Sequence, residues 1–96
     1  MITHIVFFKL GDPSPEKIIA TRDRLLGMTG KIPVIRQIEV GIDIVRSERS
    51  YDLALVTRFD SLADLRAYQA HPCHADDVVP YVKSVCSSIV AVDYES

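Results

Sequence analysis

A tyrosine and two histidines that lie close together, in the stretch Tyr68-Gln-Ala-His71-Pro-Cys-His74, are the residues best suited to chemistry. A neutral imidazole can take a proton from a carbon beside a carbonyl group, and a phenol can donate a hydrogen bond to the enolate oxygen that forms. On one uninterrupted helix Tyr68 and His74 would lie about 240° apart, on different faces. Because Pro72 disfavours helical backbone at His71, we expect a break there that lets the two side chains converge.

The same side chains also have structural interpretations, which the sequence leaves open. His74 would then cap a short helix, and Tyr68 would be a core aromatic residue with its hydroxyl group at the rim. His4, in the middle of the first predicted strand, would be a buried histidine with satisfied hydrogen bonds. The functional alternative for His4 is that it donates a hydrogen bond inside a pocket.

Two other kinds of chemistry have less support at this junction. His71 and His74, with Asp76 or Asp77 nearby, have a spacing that metal ligands also use, but the proline breaks the helix that would align them. We therefore expect neither a metal nor another cofactor. Cys73 adjoins both histidines, yet the sequence lacks the further partner positions of a cysteine protease, which argues against a nucleophilic role.

The elements that must position these residues follow from hydrophobic periodicity and from helix-breaking residues. Ser14 and Ser61 are good N-caps for two helices, the first ending near Met28 and the second at the break before Pro72. A short helix then restarts near His74. Strands are predicted over residues 2–10, 35–45, 52–59 and 85–95. This β-α-β-β-α-β order predicts a ferredoxin-like α+β fold over residues 1–96 as a single domain, with an antiparallel four-stranded sheet and helices on one face.

The other face of that sheet predicts a partner. The first and third strands carry large apolar residues on both faces, and the chain's own helices can cover only one of them. We therefore expect a homodimer in which two open sheet faces pack into a closed barrel, with the helices outside. Lys9 and Arg58 fall on this face, where they would form salt bridges at the rim or line a polar barrel interior.

Composition and charge exclude several classes of partner. The net charge is -2, with acidic and basic residues mixed along the chain, so no basic surface for nucleic acid is predicted. The longest apolar run, from Ile5 to Phe8, is far too short to span a membrane. We expect no signal peptide, and hence a cytoplasmic protein whose Cys73 and Cys86 are thiols; a disulfide between the two is the alternative.

The sequence resembles the stress-responsive dimeric α/β barrel family along nearly its whole length. The resemblance lies in four features of the sequence. They are the opening strand from His4 to Leu10, Gly41 in the second strand after Ile32-Pro33, the Tyr68–His74 junction, and the closing Val92-Asp93-Tyr94. Members of this family form dimeric barrels and include a ring-forming plant stress protein and a plant polyketide cyclase that makes olivetolic acid without a cofactor. The resemblance therefore implies a dimeric barrel, and it is more specific for fold than for activity.

The resemblance to the cyclase also implies roles for individual residues. Its catalytic histidine matches His74, its catalytic tyrosine matches Tyr68, and a histidine of its first strand matches His4. Leu53 stands where the cyclase has a further pocket histidine, and Cys86 stands where it has a bulky aromatic residue. The acid–base pair is therefore present, while part of the polar pocket lining is missing.

These observations lead to one leading hypothesis and two alternatives. The leading hypothesis is cofactor-independent proton transfer on a small carbonyl or polyketide-like compound, with His74 as general base and Tyr68 as hydrogen-bond donor. The alternatives are a non-catalytic stress-response or small-molecule-binding dimer, and a cofactor-free oxygenase. The predicted pocket lies between sheet and helices and is lined by His4, Val6, Phe8, Leu25, Leu53, Leu55, Tyr68, His74, Val79, Ile89 and Ala91.

Overall fold

The computed structural model describes residues 1–96, which fold into strands and helices in the predicted order. The second helical region is divided into three consecutive segments. In chain order the elements are β1 (Ile2–Leu10), α1 (Pro15–Leu26), β2 (Gln37–Ile42), β3 (Leu53–Phe59), α2 (Leu62–Ala70), a π-helix (Cys73–Val78), α3 (Val79–Val85) and β4 (Cys86–Glu95).

The four strands form one antiparallel sheet in the order β2-β3-β1-β4. β1 is central and pairs with β3 on one side and with β4 on the other. In this register His4 lies opposite Thr57 of β3 and opposite Asp93 of β4. The predicted ferredoxin-like α+β fold is therefore confirmed.

One face of the sheet packs against the helices and forms the core. Because side chains alternate along a strand, every second residue of β1 faces the helices together with its partners on β3 and β4. Phe8, Leu53 and Phe59 reach the core from the sheet, and Leu25 and Tyr68 reach it from the helices. All five side chains are at most 3% exposed.

The opposite face of the sheet is open and apolar. Phe7 of β1 is 42% exposed, and Val90, Val92 and Tyr94 of β4 are 43%, 59% and 45% exposed. Lys9 and Arg58 also lie on this face, and neither is in an ion pair within the chain. Lys9 lies over the ring of Tyr51, 5.6 Å from its centre, and is not in the rim salt bridge that one interpretation gave it.

Capping residues define where the two longer helices begin, as the sequence predicts. The Ser14 hydroxyl group accepts the N–H of Lys17 at the start of α1, and the Ser61 hydroxyl group accepts the N–H of Asp64 at the start of α2. α1 ends at Leu26, two residues before the predicted end at Met28. None of the helices combines the length and the apolar character that a membrane-spanning helix requires.

The second strand is shorter than the predicted range of 35–45. Its apolar alternation continues to Ile44, but Ile44 and Val45 leave the sheet and are 90% and 74% exposed. Arg46 follows with a positive φ of 57°, and its backbone N–H donates to the Asp43 carboxylate at 2.7 Å. Local turn chemistry therefore ends this strand, which the hydrophobic period alone does not reveal.

Candidate functional site

The break between α2 and the π-helix places Tyr68 next to His74. α2 ends at Ala70, and the chain re-enters helical geometry with the wider π-helical turn, in which the N–H of Val79 donates to the carbonyl oxygen of His74. The ring centroids of Tyr68 and His74 are 4.4 Å apart. Two side chains that would face apart on a continuous α-helix are thus in contact.

The Tyr68 side chain is fully buried, and its hydroxyl group has no hydrogen-bond partner within the protein. Its ring lies 5.0 Å from that of Phe59, centroid to centroid, which fixes its orientation. Burial, with a smaller contribution from the nearby Cys73 thiol, raises the pKa of Tyr68 far above the ordinary value of 10. The phenol therefore stays protonated and is available as a hydrogen-bond donor.

The His74 imidazole is held in one tautomer by a backbone carbonyl group. Its Nδ1 lies 3.1 Å from the carbonyl oxygen of Gln69, and since a carbonyl can only accept, Nδ1 carries the proton. The unprotonated Nε2 is then free to act as a base. Burial lowers the pKa of His74 below the ordinary value of 6.5; the Gln69 carbonyl raises this pKa and the nearby His4 lowers it. The ring is therefore neutral at neutral pH.

A second histidine, His4, is oriented by a carboxylate on the neighbouring strand. His4 is 6% exposed, and its Nδ1 bonds to the Asp93 carboxylate, directly across the β1–β4 ladder. Its ring lies edge-on to that of Tyr68, with 5.9 Å between the centroids. Sequence reasoning missed Asp93 as part of the site. Because side chains alternate along a strand, Asp93 shares a face of β4 with Ile89 and Ala91, and this could have indicated it.

These three rings lie beside a pocket of about 210 Å³ between the sheet and the helices. His4, Tyr68 and His74 supply the polar groups nearest the core. The expected apolar side chains that line the pocket are Val6, Phe8, Leu25, Leu55, Val79, Ile89 and Ala91. Pockets for drug-sized ligands have volumes of about 300–1,000 Å³, so this pocket suits a ligand smaller than those.

The lining of the pocket departs from the sequence-based expectation at a few positions. Leu53 lies outside the pocket, packed in the core and 2% exposed. It shares a strand face with Leu55 but lies two residues earlier on β3. The sequence also did not indicate the four residues of the helical region that complete the lining. They are Gln69, Val78, Val82 and Lys83.

The pocket lining does not include His71, Cys73 or Cys86. His71 is the C-cap of α2, and its Nδ1 accepts the N–H of Cys73, the first residue of the π-helix, at 3.1 Å; the structural interpretation gave a role of this kind to His74. Cys73 and Cys86 are free thiols, and burial raises the pKa of Cys86. No three His, Cys, Asp or Glu side chains are grouped so that they could hold a metal ion.

Comparison with known proteins identifies the family. Residues 2–96 match the model of the Stress responsive A/B Barrel Domain. The chain belongs to this family. A stress-response A/B barrel domain-containing protein of Arabidopsis thaliana is 30% identical over 95 residues, which are 98% of this chain and 36% of that protein. The chain thus spans about a third of the length of this relative.

Solved structures share the fold of this A/B barrel domain. A dimeric protein with a ferredoxin-like fold from Bacteroides fragilis is 33% identical, with a TM-score of 0.83 over 99% of this chain and 95% of that chain. A hydroxynitrile lyase from Passiflora edulis is 21% identical, with a TM-score of 0.79 over 97% and 90% of the two chains. The predicted family is confirmed, whereas the specific likeness to the polyketide cyclase stays a prediction.

We expect Tyr68→Phe to leave the stability of this A/B barrel domain unchanged or to raise it. A buried hydroxyl group without a partner costs about 1–3 kcal/mol, and the change removes it while keeping the ring. Tyr51→Phe is the matched control, because the Tyr51 hydroxyl group lies 3.0 Å from that of Ser88, and losing this bond should cost about 0.5–1.5 kcal/mol. Urea unfolding of both variants measures the difference; equal destabilisation would mean that the Tyr68 hydroxyl group has a structural partner.

The stability of the domain should depend on His74 below neutral pH. Because the folded pKa of His74 lies below the ordinary value of 6.5, the unfolded chain protonates first as the pH falls. The free energy of unfolding should therefore decrease as the pH drops through about 6.5 towards the folded pKa, and this decrease should be smaller in His74→Gln. Unfolding curves of both proteins between pH 5 and 7 test this, and identical pH dependence would contradict it (the range follows from the ordinary histidine pKa of about 6.5).

Proposed function

We propose that this A/B barrel domain catalyses cofactor-independent proton transfer on a small carbonyl compound. The observation that carries the proposal is the unpartnered Tyr68 hydroxyl group, buried beside an imidazole whose Nε2 is free. Natural proteins rarely leave a buried hydroxyl group without a partner, and a bound ligand is one source of the missing bond. A carbonyl oxygen is an acceptor of the required kind.

In the proposed step, the carbonyl oxygen of the substrate accepts a hydrogen bond from Tyr68. The Nε2 of His74 takes a proton from the carbon next to that carbonyl, and the electrons of the C–H bond move onto the oxygen as an enolate. Tyr68 stabilises the developing charge without giving up its proton, because burial keeps its pKa high. Where a double bond is conjugated with the enolate, the His74 imidazolium returns the proton to the far carbon of that bond and gives an isomer. Where the enolate carbon attacks a second carbonyl group of the substrate, the new C–C bond closes a ring, and the imidazolium gives its proton to the alkoxide that forms.

The environment of the two groups supports this division of roles. His74 is neutral at neutral pH, as a general base must be, and Tyr68 is protonated, as a donor must be. The apolar lining excludes water from the enolate, which strengthens the hydrogen bond from Tyr68. The ring of His4, held by Asp93, lies against Tyr68 and restricts its orientation. That a hydroxynitrile lyase shares this fold is in keeping with chemistry at a carbonyl-derived carbon.

The open face of the sheet supports a second part of the proposal, a homodimer. Two depressions on this face, of about 340 Å³ near Gly41 and 510 Å³ near Arg58, are larger than the pocket at Tyr68. We assign no small ligand to them, because a second copy packed face to face would cover both. The similar protein from Bacteroides fragilis is described as dimeric. The Nε of Arg58 is buried without a partner, which a second subunit could provide.

Exchange of hydrogen for deuterium tests the proposed base without knowledge of the natural substrate. In D2O the domain should speed deuterium incorporation at the methyl group of an aryl methyl ketone such as 4-methylacetophenone. His74→Gln should reduce this rate by about 10²–10⁴-fold, the usual contribution of a general base. Proton NMR of the ketone methyl signal measures the rate.

The control for this experiment is His71→Asn. His71 lies at the same junction but outside the pocket, so this variant should keep the exchange rate of the wild type. If the ketone binds and His74→Gln exchanges as fast as the wild type, His74 is not the base. If the ketone binds and no exchange occurs in any variant, the domain binds small molecules without acting on them.

Substitution of Val92 by lysine should separate the proposed dimer. Val92 is 59% exposed on the open face, where a charge would be buried without a partner in the dimer. Ile19→Lys is the matched control, because Ile19 is 44% exposed on α1, in the helical layer on the other side of the sheet. Sedimentation velocity should show a dimer for the wild type and for Ile19→Lys and a smaller species for Val92→Lys. A monomeric wild type would contradict the proposal.

A further inference from the structure

A single cation lies at the wall of the pocket beside Tyr68. Lys83 lines the pocket together with Val79 and Val82, which are four positions and one position earlier on α3. Residues three and four apart on a helix share a face, so Lys83 continues the stripe of α3 that is turned towards the pocket. Of the three residues of α3 that line the pocket, Lys83 is the only one that is not apolar.

The charge of Lys83 is not neutralised within the chain. No carboxylate group lies within salt-bridge distance of its ammonium group, although six other basic side chains are in such pairs. The other residues that line the pocket include no aspartate or glutamate. On the neighbouring elements, Asp93 binds His4 and Asp77 binds Arg24, and Asp76 is not within ion-pair distance of Lys83. The pocket therefore has one lysine in its lining, which is exposed to solvent and has no ion-pair partner within the chain.

We propose that Lys83 selects a substrate that carries a carboxylate group in addition to its reactive carbonyl. This inference rests on the proposed function, since it assumes that the carbonyl group binds at Tyr68 and His74. The substrate would be a small, largely apolar keto acid, with the carbonyl group at the buried hydroxyl group of Tyr68 and the carboxylate at the ammonium group of Lys83. Charge-assisted hydrogen bonds of this kind are about twice as strong as neutral ones.

The structural explanation of Lys83 makes a different prediction. A basic residue in the last turn of a helix interacts favourably with the helix dipole, and Lys83 occupies that turn of α3. That role would affect the stability of the domain but would not make it distinguish charged from neutral ligands. Ligand selectivity is therefore the measurement that separates the two explanations.

A pair of matched probes tests the proposal. 4-Acetylbenzoate and 4-methylacetophenone share a ring and a methyl ketone, and they differ in a carboxylate against a methyl group. Isothermal titration calorimetry with the wild type should give a dissociation constant at least about tenfold lower for the carboxylate, equivalent to about 1.4 kcal/mol. Lys83→Gln should lose most of this preference and keep its affinity for the neutral ketone. Lys31→Gln, which makes the same change in net charge outside the pocket, should bind both probes as the wild type does.

The outcomes distinguish failure of the role of Lys83 from failure of the proposed function. If the wild type binds both ketones equally, or if Lys83→Gln keeps the preference for the carboxylate, the role of Lys83 is overturned while the pocket and its base stand. If neither ketone binds the wild type, the proposed function and the role of Lys83 both fail. Deuterium exchange at the methyl ketone, run on the same samples, shows whether a bound probe also reaches His74.

Discussion

The burial of Tyr68 is the constraint on which the rest of the site depends. Its ring is in contact with Phe59 from the sheet, with His74 from the π-helix and with His4 from the central strand. Because these three rings hold Tyr68 in place, its hydroxyl group cannot turn to find a protein partner, and the ring meets the pocket on its remaining side. This rigidity leaves the Tyr68 hydroxyl group without a hydrogen-bond partner in the protein, beside a pocket where a ligand could provide one.

Burial acts in opposite directions on the two ionisable groups beside this pocket. It disfavours the charged form of each, so it raises the pKa of the Tyr68 phenol and lowers the pKa of the His74 imidazole. Both groups are therefore neutral over a wide range around neutral pH, one with a proton to share and the other with a lone pair. A single apolar environment thus keeps one group a hydrogen-bond donor and leaves the other a free lone pair, which are the two properties that the proposed proton transfer uses.

Much of the fold could be predicted from the sequence, because it depends on local signals. Alternating apolar residues indicate the strands, Ser14 and Ser61 mark the starts of helices, and Pro72 marks the break in the second helical region. The exceptions are places where polar contacts decide, such as the turn after β2, where Arg46 adopts a positive φ beside Asp43. Periodicity carries no information about such contacts.

The site could be predicted only in part, since its geometry depends on pairings distant in sequence. The spacing of Tyr68 and His74 indicated that they could act together if the helix broke, but it could not give the π-helical turn that brings them into contact. The Asp93 carboxylate reaches His4 across 89 residues of chain, through strand register alone. Likewise, Leu53 and Leu55 share one strand face, but the pocket reaches Leu55 and does not extend along β3 as far as Leu53.

The two ends of the chain meet, with the N–H of Ser96 donating to the carbonyl oxygen of Met1 at 2.8 Å. The pairing of β1 with β4 therefore joins the segments that are furthest apart in the chain, and closing so long a loop carries a large entropic cost before any contact stabilises it. A circular permutant that connects these ends and opens the polar 46–51 connection would turn the longest-range pairing into a local hairpin. The contact between His4 and Asp93 would then form between neighbouring segments, at a smaller entropic cost of loop closure.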